Sequence, residues 1–306
     1  MKSQAGRLRL SLSKKEAIWG YFFILPWIIG FLVLRLGPMI TSLILSFTEY
    51  TILKAPKFTG LTNFTKMFTN DPSFGAALKV TLSYAFFAVP VGIVLSLMIA
   101  LLLNQKIPGV AIWRTVYYLP SVVSGVAVAM LWVWIFHSQF GLINVGLNAI
   151  GIQGPAWLGD PNYALPALII MSFWGIGGGM VINLAGLQGI PTELYEAASI
   201  DGANAWNRFW NVTLPMLSPV LFFNLVIGII DAFQYFTNAY VMTNGGPGRA
   251  TLFYNLYLYQ NAFRYYKMGY ASALAWMMFL IILVLTLLIF KSSPYWVYYE
   301  GLTKKK

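Results

Sequence analysis

Apolar positions in this chain come in long runs. Six stretches, approximately 17–46, 75–103, 113–136, 164–187, 217–243 and 268–290, carry almost no charge. Each is long enough to cross a hydrocarbon core of about 30 Å as helix, which takes roughly 20 residues. Neither the two-residue period of a half-buried strand nor the one-sided stripe of a surface helix organises them. The pattern therefore predicts six transmembrane helices and an all-α membrane protein. The first stretch exceeds a perpendicular crossing: about 20 residues at 1.5 Å each from Ala17 end near Leu36, and Pro38 predicts a kink there. The polar intervals are too short for a separate soluble domain, and no repeat or low-complexity tract occurs. The expected division is an N-terminal segment 1–16, a membrane domain 17–290 containing a cytoplasmic link 189–216, and a tail 291–306.

Composition supports this reading and removes alternatives. Of 306 residues, 58% are apolar and 9% charged, against roughly a quarter charged in soluble domains. The formal charge of +11 is concentrated partly at the ends, in Lys14-Lys15 and Lys304 to Lys306. Lipid headgroups account for it better than nucleic acid. Without cysteine, disulfides, thiolate chemistry and cysteine-ligated metals are excluded. The run from Ala17 to Leu34 is longer than a signal-peptide core and lacks a small-residue cleavage pattern, so it reads as a retained span.

Loop charge sets the expected orientation. One side collects Lys2, Arg7, Arg9, Lys14, Lys15, Lys106, Arg114, Arg208, Lys291, Lys304, Lys305 and Lys306; the other collects Lys54, Lys57, Lys66, Lys79, Arg249, Arg264 and Lys267. The excess places both termini in the cytoplasm of a multi-pass cell-membrane protein. Outside then lie the intervals 47–74, 137–163 and 244–267, the last opening with the turn former Asn244-Gly245-Gly246-Pro247-Gly248.

The longer cytoplasmic link is the most informative segment. Pro191-Thr192 suits a helix start, with Glu193 and Glu196 favourable near its positive end. Gly202 can end that helix with φ > 0, Asp201 is expected to cap the next one, and Pro215 disfavours a helical Leu214. The expectation is two short helices forming an exposed elbow. Leu194, Ala198 and Ile200 among acids suit a docking element, and equally an amphipathic helix lying on the bilayer.

Glu196-Ala197-Ala198-x-x-Asp201-Gly202-Ala203, followed by Phe209, Leu214-Pro215 and Pro219, resembles the EAA signature of permease subunits of binding-protein-dependent ABC importers. Tyr118-Leu119-Pro120-Ser121, Gly186 to Pro191 and Thr243 to Gly248 are similar to the carbohydrate-uptake branch that includes maltose, lactose and glycerol-3-phosphate permeases. The resemblance implies the type I, maltose-permease-like fold and a coupling helix seated on an ATPase. It implies that Glu196 contacts that ATPase, Ala197, Ala198 and Ala203 belong to the close-packed signature, and Gly202 makes the turn. It also implies partners: two ATPase subunits, a second permease, an extracytoplasmic solute-binding protein and a carbohydrate. No Gly-Lys dipeptide occurs, so a P-loop is absent. No cofactor is expected in this chain, with ATP and Mg²⁺ falling to the partner ATPase.

An ionisable residue within a span is a functional candidate. On a continuous helix, Asp231, Gln234, Tyr235 and Asn238 form one polar-aromatic stripe, suited to sugar hydroxyls and to the apolar face of a pyranose, or to hydrogen bonding between helices. Trp174, beside Gly175 and Gly177 to Gly179, is a further pathway candidate, while the glycines suit close helix packing. Arg35 is read as snorkelling at the outer interface. His137 cannot form a metal site alone, and the segment Gly154 to Pro161 reads as a rigid outer cap or docking surface. A self-sufficient secondary transporter or channel is the alternative; inverted repeats and several buried ion-coupling groups would mark it. An intramembrane enzyme finds no HExxH, cysteine or Ser/His/Asp set.

Overall fold

The computed structural model describes residues 11–105 and 108–298. The basic residues Lys2, Arg7, Arg9, Lys106 and Lys304 to Lys306 lie outside the described residues, as do parts of the expected terminal segments. The described chain is helical, with a short β-hairpin, Thr48–Thr51 paired antiparallel to Lys54–Phe58, just after the first span.

Six spans are present. The first, Leu12–Ser46, starts five residues earlier than expected, where the Ser11 hydroxyl caps its first turn. The second is Pro72–Leu103, the fifth Ala205–Met242 and the sixth Met268–Trp296. The other two are broken. The third consists of Val110–Val122 and Gly125–Ile135, bent by 97°, and the fourth of Pro161–Gly175 and Gly177–Gln188, bent by 46°. The single helix expected over 113–136 is thus corrected to two. Pro120 withholds a hydrogen bond from the last turn, and at Val123 the chain turns extended, with φ −75° and ψ 144°.

Prolines elsewhere are absorbed. Ahead of Pro38 and of Pro215 stands a π turn, Leu32–Leu36 and Phe209–Thr213, in which the amides of Gly37 and Leu214 donate to carbonyls five residues back. The widened turn leaves room for the proline ring, so the helix continues. Leu214 is helical, at φ −66° and ψ −44°. The expected stop at Leu214 is therefore absent.

Packing divides into two layers. One cluster, at the end of the bundle where the second span begins, joins Phe74, Ala77, Tyr84, Leu168, Phe253 and Tyr254; the other, toward its C-terminal end, joins Leu97, Ala100, Met180, Leu184, Leu187 and Leu217. Glycines let backbones approach: a Cβ on Gly177 would meet the Tyr117 carbonyl at 2.3 Å, and one on Gly186 would meet Leu217 at 2.7 Å. Such small-residue contacts bring helices together where lipid supplies no hydrophobic drive. The apolar helix Leu12–Phe31 buries no residue against the rest of the chain.

The interval 244–267 is not a surface loop. Its residues Thr251 to Tyr254 and Leu256 are at most 6% exposed. The Tyr254 amide donates to Thr81 Oγ1 at 2.9 Å, and its hydroxyl donates to the Leu274 carbonyl at 2.9 Å. This segment therefore plugs the end of the bundle where the second and sixth spans begin, packed between them.

Candidate functional site

Between the two packed layers the second, fourth and fifth spans separate around a cavity of about 450 Å³. Its wall includes Tyr84 and Ser96, Gly175, Gly178 and Gly179, and Asn224, Asp231 and Tyr235. The volume is within the range of small-molecule sites, roughly 300–1,000 Å³. The break in the fourth span makes this space possible, since its glycines present bare backbone to the cavity.

The polar stripe expected on the fifth span is divided by the fold. The helix ends at Phe233 and resumes at Thr237, with Phe236 at φ −137° and ψ −62°. Asp231 and Tyr235 line the cavity, but Gln234 and Asn238 do not. Gln234 is exposed at the break, where its carbonyl accepts from the Asn255 side chain at 3.0 Å. Asn238 lies on Thr237–Met242 with its side-chain oxygen buried and unpartnered. One stripe at i, i+3, i+4 and i+7 requires an uninterrupted helix, and the break removes that condition. Trp174 likewise lies outside the lining of this cavity and meets Trp132 edge-on at 5.6 Å.

Tyr235 is fixed by aromatic contacts, with Tyr84 and Phe253 each 4.6 Å away between centroids. Its hydroxyl is buried without a hydrogen-bond partner. Among the described residues nothing donates a hydrogen bond to the Asp231 carboxylate. Below them runs a chain of amides not singled out from the sequence. Asn224 donates to Asn183 Oδ1 at 2.8 Å, and Asn183 donates to Ser96 Oγ at 3.0 Å. It ties the three cavity-forming spans together at the cavity floor. The available signal was polar residues inside apolar runs, but only the fold shows that they meet.

The elbow matches its expected shape closely. Its first helix is Thr192–Ile200, and Gly202 follows at φ 76°. The amide of Gly202 donates to Ser199 and that of Ala203 to Ala198, at 3.1 and 2.9 Å. This is a Schellman ending, which needs the left-handed glycine. Glu196, Ala197, Asp201 and Gly202 are exposed, whereas Ala198 and Ala203 are half-buried. Ile200 is 86% exposed at the tip. The second helix is capped by Asn204, whose side chain accepts from the Asn207 amide at 2.8 Å, and not by Asp201, which ends the first helix. Tyr195 and Thr213 share a 3.0 Å hydrogen bond, and Arg208 donates to Ser199 at 3.2 Å. These contacts fasten the elbow to the foot of the fifth span. From Ala205 that span runs without a break to Asp231, roughly 39 Å at 1.5 Å per residue.

Two polar anchors, Asp71 and Asn144, also escaped sequence reasoning. Asp71 caps the second span by accepting from the Ser73 and Phe74 amides and receives the hydroxyls of Tyr257 and Tyr270. Burial pushes this carboxyl up, but the hydrogen bonds outweigh it and hold it below its ordinary value. The outer segment 154–161 is clamped: Asn144 donates to the Ser138 and Pro155 carbonyls at 2.8 and 3.0 Å and accepts from Trp157 Nε1 at 2.7 Å. Among the described residues no group of three or more His, Asp or Glu side chains is placed to hold a metal.

Residues 92–293 match the family model described as binding-protein-dependent transport system inner membrane component. The chain is 50% identical to the probable ABC transporter permease protein YesP of Bacillus subtilis, covering 94% of each chain. It is 35% identical to the trehalose/maltose transport system permease protein MalF of Thermococcus litoralis, covering 93% of this chain and 96% of that one. A chain of a bacterial alginate ABC transporter, solved with an alginate pentasaccharide-bound periplasmic protein, superposes with TM-score 0.82 at 26% identity, covering 93% of this chain and 97% of that one.

Proposed function

The chain belongs to the family of binding-protein-dependent transport system inner membrane components, and from that premise we propose that it works as one membrane half of an ATP-driven carbohydrate importer. Its similarity to permeases named for trehalose, maltose and arabinooligosaccharides supports the substrate class. The observation that carries the mechanism is the unbroken helix joining the exposed elbow to Asp231 at the cavity.

In this reading the elbow, with Glu196 and Ile200 at its surface, sits on a partner ATPase in the cytoplasm, which also holds ATP and Mg²⁺. Closure of two such ATPases displaces the elbow. The hydrogen bonds from Tyr195 and Arg208 pass that displacement to the fifth span instead of letting the elbow swing freely. The cavity between the second, fourth and fifth spans changes its access from the outer to the inner side. Asp231 accepts sugar hydroxyls, and Tyr235 with Tyr84 offers aromatic surface. A second permease completes the pathway against exposed faces such as Leu12–Phe31, which buries nothing within this chain. A binding protein delivers the solute to the outer side, where the Asn144-clamped segment stands, and both termini lie in the cytoplasm.

The test is uptake by the assembled transporter. Glu196→Lys reverses a charge at the docking surface, and Gly202→Asp puts a side chain at φ 76°, where an L-residue costs on the order of 1–2 kcal/mol. Either is expected to reduce sugar uptake at least about tenfold with the melting temperature of the isolated chain nearly unchanged. Asp231→Ala is expected to lower uptake severalfold while assembly and ATP hydrolysis persist. Normal uptake by Glu196→Lys would sink the coupling role, and normal uptake by Asp231→Ala would leave Asp231 outside the pathway.

A further inference from the structure

Above the cavity lies a second recess of about 390 Å³, lined by Tyr240, Asn244, Tyr259, Gln260, Phe263, Arg264 and Tyr266. It is built by two segments remote in sequence, the outer end of the fifth span and the plug between the fifth and sixth spans. We infer that this recess is an outer subsite for a carboxylated sugar ring, which captures an acidic saccharide before it reaches the central cavity. The inference rests on the carbohydrate-import reading and adds a charge preference to it.

Four observations support it. First, one wall is an aromatic ladder. Phe236 stacks on Tyr240 at 5.4 Å and 12°, Tyr240 meets Tyr259 at 5.6 Å, and Tyr259 meets Phe263 at 5.1 Å. Tyr240 and Phe263 are exposed, so the ladder is not consumed by core packing. Flat rings of this kind suit the C–H face of a pyranose. The foot of the ladder, Phe236, directly follows Tyr235, which lines the central cavity.

Second, the lining contains one charge, the Arg264 guanidinium, and no acid. Arg264 is exposed, and its planar fork of donors matches a carboxylate in a two-point contact. Third, Gln260 is 8% exposed yet makes only a long contact, 3.5 Å, to the Asn244 carbonyl. A primary amide offers two donors and an acceptor with two lone pairs. Most of that capacity stays free for ring hydroxyls among the described residues. Fourth, the backbone around the recess is held in uncommon conformations. Asn244 and Tyr266 have φ of 48° and 56°, and Gln260–Arg264 is a π turn. A bulky residue such as tyrosine at positive φ is an outlier, and such strain collects at ligand sites.

These features separate the two compartments by charge. The central cavity carries an acid, Asp231, and no base, whereas the outer recess carries a base and no acid. A uronate therefore meets an attracting charge only at the outer site.

The experiment measures binding of digalacturonate and of its neutral methyl ester to the full-length chain in detergent, by titration calorimetry, alongside sugar uptake by the assembled transporter. The wild type is expected to prefer the acid over the ester about tenfold. Arg264→Gln should abolish that preference by weakening the acid more than the ester, Arg264→Lys should retain part of it, and Tyr259→Ala should weaken both sugars. An acid-to-ester ratio unaltered by Arg264→Gln, or no binding of digalacturonate to the wild type, overturns the subsite. Failure of the importer reading is a separate result: no carbohydrate uptake by the assembled wild type. Because Arg264 is exposed, its replacement leaves the fold intact, which equal melting of the variant checks.

Discussion

The third and fifth spans both carry a proline inside an apolar run, and they treat it in opposite ways. In the fifth, Pro215 follows a π turn and the helix continues from the elbow to Asp231. In the third, Pro120 lies two residues before the helix stops at Val122, and the chain bends by 97°. A proline in an apolar run therefore decides nothing by itself. The outcome depends on whether the preceding turn can widen and on what packs against it. The straight span can transmit displacement along its length, and the bent one can change angle between its halves.

The largest expected effect comes from attacking the packing that holds the bend. Gly177 places its backbone against the carbonyl of Tyr117 and the Cα of Tyr118, where an added Cβ would sit at 2.3 and 2.8 Å. Gly177→Val should lower stability by about 1–3 kcal/mol, as overpacking does, and lower the melting temperature in detergent. Gly178→Val, whose added Cβ meets nothing within 4 Å, is the control and should melt like the wild type. Equal melting of the two variants would mean that the bend is not held by this contact.

Smaller is the effect of restoring the missing donor at the bend. Pro120→Ala can extend the helix past Val122 and oppose the extended Val123, so uptake is expected to fall severalfold with little change in melting. Undiminished uptake would show that the angle between the two halves does not matter to transport. Smallest is Pro215→Ala. The helix already runs through this position, so uptake should stay within about twofold and stability within roughly 1 kcal/mol of wild type. A loss as large as that of Pro120→Ala would erase the contrast between the spans and make Pro215 a hinge.

The elbow was legible because its determinants are local. The turn at Gly202 ends the helix, the amides of Gly202 and Ala203 donating to carbonyls three and five positions back, and the alternation of acids, alanines and leucine already marks a surface helix. Two expectations failed there: Asn204 and not Asp201 is the cap, a choice between two capping residues three apart, and the helix runs through Leu214 because a π turn precedes Pro215. The cavity was only half legible. Asp231 and Tyr235, picked out by type, do line the cavity, but Gln234 and Asn238 were grouped with them on the assumption of an unbroken fifth span, and Trp174, a separate candidate beside the fourth-span glycines, lies outside the lining. Asp71, Ser96, Asn183 and Asn224 gave no signal beyond being polar, since their partners lie on other spans.

The sequence by itself determined the number of crossings, the helical class and the shape of the elbow. Those follow from the length of apolar runs, the need to satisfy backbone groups within each segment in lipid, and short-range turn chemistry. Only the tertiary structure decided where helices bend, which polar side chains share a cavity, and that the segment 251–262 fills the outer end of the bundle. Each of these depends on contacts between residues tens to hundreds of positions apart, such as Tyr254 with Thr81 or Gly177 with Tyr117, and neither periodicity nor composition encodes them.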